Sequence, residues 1–228
     1  MIEPHNPQDD IQKQFDSLAQ QAGFDPKKPV PNGLTWKQTV DSYLKYIPET
    51  DPRFTFGYLY LTGQRATEAI NTKRSDITLE ELEGKEFIKI NSKTLKNTKR
   101  PYREIAIPLF GQEKIIAENT WKYIESIKNP ERLILPVTRR TLVNWLKSVQ
   151  AENIQAFDFA KREYVTITFN MHPHYLRHTR AFHMAQLHNF DLIKMMTYFG
   201  WTDSKMPLYY IRNDWLFLAK QIAKGGKL

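Results

Sequence analysis

The sequence predicts a mixed α+β domain, mainly helical, with a small antiparallel sheet. Three patterns carry that expectation: apolar residues at helical spacing over much of the chain, two short β-rich runs at 87–90 and 102–107 flanking a basic segment, and a proline-punctuated amino end. The 228 residues suit one domain with an extension, and 41% apolar with 13% aromatic residues supplies a core.

Pro4, Pro7, Pro26, Pro29 and Pro31 prevent any long continuous element in residues 1–33, which read as an arm or linker. Within it, Ile11, Phe15, Leu18 and Ala22 share a helical face, so one short docked helix is expected. The packed domain is expected over 34–228. Thr35 is a cap for a helix running through Val40, Tyr43, Leu44 and Ile47 and stopped by Pro48. The apolar run 54–61 predicts a second helix that Gly63 interrupts before helical character resumes over 65–72. Phe87, Ile88 and Ile90, then Tyr102, Ile105 and Ile107, predict the two strands of a hairpin with the basic run at its tip. Helices are expected at 111–127 and 140–152, and 164–169 alternates like a strand or an extended approach to the next helix. Pro173 is tolerated in the first turn of a helix over 173–187. Helical patterns at 191–198, 208–211 and 214–223 complete the chain before Gly225 and Gly226.

Thirty-three Lys and Arg against 25 Asp and Glu leave a net charge of +8 and a pI near 9.4, which makes polyanions plausible partners. Lys93, Lys96, Lys99, Arg100 and Arg103 fall within eleven residues that contain no acid. The absence of cysteine removes disulfides, thiolate metal sites and cysteine nucleophiles together. No apolar stretch approaches the roughly 18 residues of a membrane span, and the amino end lacks a signal pattern, so a cytoplasmic, nucleoid-associated protein with no membrane partner is expected.

Three separated segments belong together: Thr62-Gly63-Gln64-Arg65-Ala66-Thr67-Glu68, His174-Tyr175-Leu176-Arg177-His178-Thr179, and Gly200-Trp201 followed nine residues after Trp201 by Tyr210. In order, spacing and residue type they resemble the tyrosine recombinase and integrase family, with its Thr-Gly-x-Arg-x-x-Glu segment, its His-x-x-Arg box and its Gly-His/Trp step to a nucleophilic tyrosine. The resemblance covers about residues 34–223. The basic hairpin lies where the family carries an active-site lysine.

The residue types suit the chemistry that the resemblance implies. A phosphodiester under attack gathers negative charge on its nonbridging oxygens, and guanidinium groups meet such oxygens with paired hydrogen bonds, so Arg65 and Arg177 are the candidates for a phosphate clamp. Arginine stays protonated at working pH, so neither metal nor other cofactor is expected. Tyr210 is expected to attack phosphorus and form a 3′-phosphotyrosyl link that a later hydroxyl reverses without ATP. His174 serves as the phenol's proton acceptor or as a phosphate ligand, and the two roles stay open. Lys93, after the first hairpin strand, is favoured as proton donor to the leaving 5′ oxygen, with Lys96 its rival. Trp201 replaces the commoner histidine and donates one indole N–H; simple core packing is its alternative. Glu68, one turn after Arg65, is expected to orient that arginine. His172 and His178 flank the box, and the three-residue step to Arg177 favours His174; Tyr209 is set aside in favour of Tyr210 by the step from Trp201. Double-stranded DNA is the expected partner, bound by a homo-oligomer of up to four copies. An apolar face of Trp215, Leu218, Ala219 and Ile222 serves either assembly or packing on its own domain. The family usually adds a helical core-binding domain before the catalytic one; with only a 33-residue arm in its place, weak, salt-sensitive DNA binding is expected. A type IB topoisomerase and a catalytically silent DNA-binding module of the same fold are the alternatives.

Overall fold

A computed structural model describes residues 30–94, 101–158, 161 and 163–211. Helix α1 (Trp36–Leu44) opens with a capping box: the Thr35 hydroxyl accepts the Gln38 N–H, and the Gln38 side chain accepts the Thr35 N–H at 2.9 Å. Helix α2 (Asp51–Thr62) starts with Pro52 in its first turn and is buried from Arg53 to Thr62, so it forms the axis of the core. It stops at Gly63, whose φ of 57° is left-handed. A β-carbon there would lie 2.6 Å from the Phe199 ring, so both backbone and packing require glycine. The chain turns at once into the short α3 (Ala66–Ile70).

Strands β2 (Ile77–Leu82), β3 (Lys85–Lys93) and β4 (Tyr102–Pro108) form one antiparallel sheet in that order, with Ser92 opposite Arg103 and Lys93 opposite Tyr102. On β3, Ile88, Ile90 and Ser92 are buried; on β4, Arg103, Ile105 and Ile107 are. This alternation sets which hairpin residues face the core. Helices α4 (Lys114–Ser126) and α5 (Arg139–Lys147) pack against α2. A second antiparallel sheet has the order β1 (Val30–Pro31), β5 (Gln150–Asp158), β6 (Glu163–Asn170). Helix α6 (Pro173–Gln186) then lies against α2, followed by α7 (Leu192–Phe199), capped by left-handed Gly200, and α8 (Lys205–Tyr210).

The mixed, mainly helical class is as expected, with three local differences. There are two small sheets instead of one, because β2 and β5 were not legible. The expected helix over 140–152 ends at Lys147, and β5 begins at Gln150. The folded body also reaches back before Leu34: Val30 and Pro31 pair with β5, and the Asn32 carbonyl accepts the Tyr175 hydroxyl at 2.8 Å. The helices expected at 11–22 and 214–223, with Trp215, Leu218, Ala219 and Ile222, lie outside the described residues, as do Lys96, Lys99 and Arg100. Among the described residues no helix is long and apolar enough to cross a membrane.

Candidate active site

The left-handed turn at Gly63 places Arg65 just ahead of α3, and Glu68, one turn on, folds back to it. The Glu68 carboxylate accepts the Arg65 N–H at 2.9 Å and the Arg65 guanidinium at 2.7 Å. Two further guanidinium groups reach the same carboxylate: Arg103 of β4 at 3.1 Å and Arg177 of α6 at 4.0 Å. Glu68 is thus a hub that joins three segments, with three cations on one anion. Burial raises its pKa, but Arg103, Arg177, Arg65 and the Arg65 N–H outweigh that and hold the carboxyl below its usual range.

Each arginine is also tied to backbone. Arg177 donates to the Gly63 carbonyl and, at 2.8 Å, to that of Phe199. Arg103 donates to the Tyr198 carbonyl. These bonds join the end of α2 to the end of α7 and fix both guanidinium planes. The arginine side chains differ in access: Arg65 is 26% exposed, Arg177 9% and Arg103 3%. Burial first, then the charges of Arg103 and Arg65, push the Arg177 pKa well down. Its cation is therefore destabilised where it sits, and an arriving anion would relieve it. Gln64 braces the turn by donating to Ser92 at 2.8 Å and to Thr72 at 3.2 Å.

Aromatic rings continue the site from Arg177. Its guanidinium carbon lies 5.1 Å from the Phe199 ring centre and 5.5 Å from that of Trp201. Phe199 stacks on Trp201 at 4.6 Å, and Trp201 stacks on Tyr210 at 5.6 Å with the planes 3° apart. Tyr210 is 4% exposed. Its hydroxyl lies 3.3 Å from Nδ1 of His178, and Nε2 of that histidine is 3.0 Å from the Pro31 carbonyl. Burial pushes His178 down to about 3, so it is neutral at ordinary pH.

The phage integrase family model matches residues 38–215, more than three-quarters of the sequence, with Arg65, Glu68, Arg103, Arg177, His178, Trp201 and Tyr210 inside it. The chain belongs to the phage integrase family, the tyrosine recombinases. Solved structures of recombinases share its fold: XerH site-specific recombinase bound to its difH substrate (TM-score 0.56, 20% identity, 88% of this chain and 56% of that one), XerA recombinase (0.54, 17%, 100% and 86%) and the Tn1549 transposon integrase in complex with transposon right end DNA (0.51, 16%, 88% and 67%). The chain spans a little over half the length of the XerH protein in its two complexes. No curated protein matches the sequence significantly.

Of the residues expected in the site, Arg65, Arg177, Trp201 and Tyr210 are joined by the contacts above. Glu68 orients not one arginine but three. His174 is exposed in the first turn of α6, one turn before Arg177. Lys93 is also exposed, on the strand face opposite Ser92 and Arg103, so it lies outside the arginine cluster. The structure brings in two further residues. Arg103, one of the hairpin charges in the sequence, alternates with Ile105 and Ile107, which marks it as inward-facing. His178, which the three-residue step to Arg177 disfavours, stands four residues after His174, on the same helical face.

Proposed function

We propose that the protein is a site-specific DNA recombinase or integrase that cleaves and rejoins strands of double-stranded DNA through a covalent bond between Tyr210 and a 3′ phosphate, without metal or ATP. The observation that carries this reading is the concentration of Arg65, Arg103 and Arg177 on the single carboxylate of Glu68, next to the Trp201–Tyr210 stack. Excess fixed positive charge beside a tyrosine suits a phosphodiester whose charge grows during attack.

In the proposed step the scissile phosphate meets Arg65 and Arg177. The Tyr210 oxygen bonds to phosphorus, the bond from phosphorus to the 5′ oxygen breaks, and the phenol proton leaves to an acceptor. His174 is the proposed acceptor or phosphate ligand, being exposed one turn before Arg177. Lys93, exposed at the end of β3, is the proposed donor to the departing 5′ oxygen. Trp201 holds the tyrosine ring by stacking. The reverse attack by a 5′ hydroxyl reseals the strand. XerH and the Tn1549 integrase, each solved with DNA, supply the fold analogy for a DNA substrate.

The test is a nicked duplex library with randomised flanks, incubated with the protein in EDTA and resolved on a denaturing gel. A DNA-linked protein band is expected. Binding without any adduct would assign the chain to a silent DNA-binding role. Relaxation of supercoiled DNA without strand exchange would instead indicate topoisomerase behaviour.

A further inference from the structure

His178 is neutral and fully engaged. The Pro31 carbonyl can only accept, so Nε2, 3.0 Å away, carries the ring proton. Nδ1 is then a bare lone pair, and the hydroxyl 3.3 Å from it, that of Tyr210, donates to it. The imidazole is gripped on its other faces: it stacks against Tyr175 at 5.9 Å and tilts against Tyr210 at 5.3 Å. Tyr175 is held in turn by its bond to the Asn32 carbonyl. Pro31, at the end of β1, thus supplies the oxygen that fixes the tautomer, and Asn32, just after the strand, the oxygen that fixes the neighbouring ring.

We infer that His178 is a positioning residue for the nucleophile: its Nδ1 holds the Tyr210 hydroxyl at a set point, and the Pro31 carbonyl keeps Nδ1 free to accept. The inference rests on Tyr210 being the nucleophile. It is a positioning role and not that of the proton's final acceptor. Burial keeps the imidazole near a pKa of about 3, far under the ordinary phenol value near 10, so the proton is held in place and not taken away. A phenol whose O–H points at Nδ1 turns its oxygen lone pairs away from the imidazole. Once the proton departs to its acceptor, the oxygen need not search for its trajectory.

Two substitutions separate the halves of this arrangement. In His178→Asn the amide oxygen falls near the Nδ1 position and can still accept from Tyr210, while the bond to Pro31 is lost. In His178→Gln the amide reaches the Nε2 position and can still donate to Pro31, while the acceptor for Tyr210 is lost. Rates of covalent adduct formation on a nicked duplex, at saturating DNA and at equal folded fraction, are expected to fall about 100-fold for Gln and by less than about 10-fold for Asn. DNA affinity is expected to stay unchanged in both. Nitrogen NMR of the wild-type protein should show His178 as the Nε2–H tautomer. Equal rates for the two variants, a Gln variant faster than Asn, or an Nδ1–H tautomer would overturn the inference. Tyr210→Phe run in parallel keeps the two claims apart: if it still forms adduct, the catalytic reading fails, whereas if it forms none and Asn and Gln behave alike, only the role of His178 fails.

Discussion

Glu68 is the residue on which the site depends. Its side chain is inaccessible to solvent, yet it faces three guanidinium groups that belong to α3's entry, β4 and α6. Removing a carboxylate from such a cluster leaves buried cations unpaired, which costs about 3–5 kcal/mol. Glu68→Gln is therefore expected to lower the unfolding free energy by that amount in urea titration and to slow adduct formation. An unchanged midpoint would mean that the arginines hold their places through backbone carbonyls alone. A second buried pair, Arg180 with Glu113, is purely structural in its contacts: Arg180 also bonds the Tyr198 hydroxyl, which donates to the Leu61 carbonyl at 2.7 Å. It ties α6, α7 and α2 directly behind the candidate site.

At the scale of elements, the turn at Gly63 and the hairpin decide where charge is presented. Gly63→Ala forces a β-carbon to 2.6 Å from Phe199 at a left-handed φ of 57°. The strained backbone alone costs about 1–3 kcal/mol. A drop of several degrees in Tm is expected, with a larger loss of adduct formation, since Phe199 and the Gly63 carbonyl both hold Arg177. An activity loss no larger than the stability loss predicts would detach the turn from the site. On the hairpin, Lys93→Ala is expected to recover most of its lost cleavage rate when the 5′ leaving group needs no proton, as with a 5′-phosphorothiolate, and Lys96→Ala to recover little. The opposite pattern would transfer the donor role to Lys96.

For the whole molecule, histidine burial predicts an acid-sensitive fold. His178 and His183 are pushed down to about 3 and about 4 by burial, against an ordinary value of 6.5. Both stay neutral in the folded state while the unfolded chain takes up protons below pH 6.5. Stability is therefore complete above that pH and falls below it, by about 1.4 kcal/mol per pH unit for each group, until the folded values are reached. Burial raises Glu113, but Arg180 and the hydrogen bonds from His188 and Arg180 outweigh it and hold the carboxyl down at about 2, so its contribution is present above about 4.5 and fades toward 2. Denaturant midpoints should decline steadily from pH 7 to pH 4, and a flat profile over that range would contradict the neutral, buried state of these histidines.

How much of this was legible in the sequence follows from periodicity. Helices with a cap and a stop, such as α1 after Thr35 and α2 before Gly63, could be read directly. Strand β2 could not, because only Ile77 is buried and Leu79 and Leu82 face solvent, leaving no alternation to detect. Strand β5 was hidden because Leu142, Leu146 and Val149 continue a helical spacing up to its start. A register shift between Ala151 and Ile154, with Asn153 at a φ of 55°, then breaks its period of two. The motif residues Arg65, Arg177, Trp201 and Tyr210 were readable because their spacing is local to each segment. Arg103 and His178 were not, since their roles depend on contacts across 35 and 32 residues of chain.

The central claim is that Tyr210 forms the bond to DNA. Digesting the covalent adduct with protease and nuclease and sequencing the nucleotide-bearing peptide by mass spectrometry tests it most directly. The account predicts a phosphonucleotide on Tyr210 in the wild-type protein and no adduct from Tyr210→Phe, with DNA binding retained. A modified Tyr209 or any other residue, or an adduct that survives Tyr210→Phe, would contradict it.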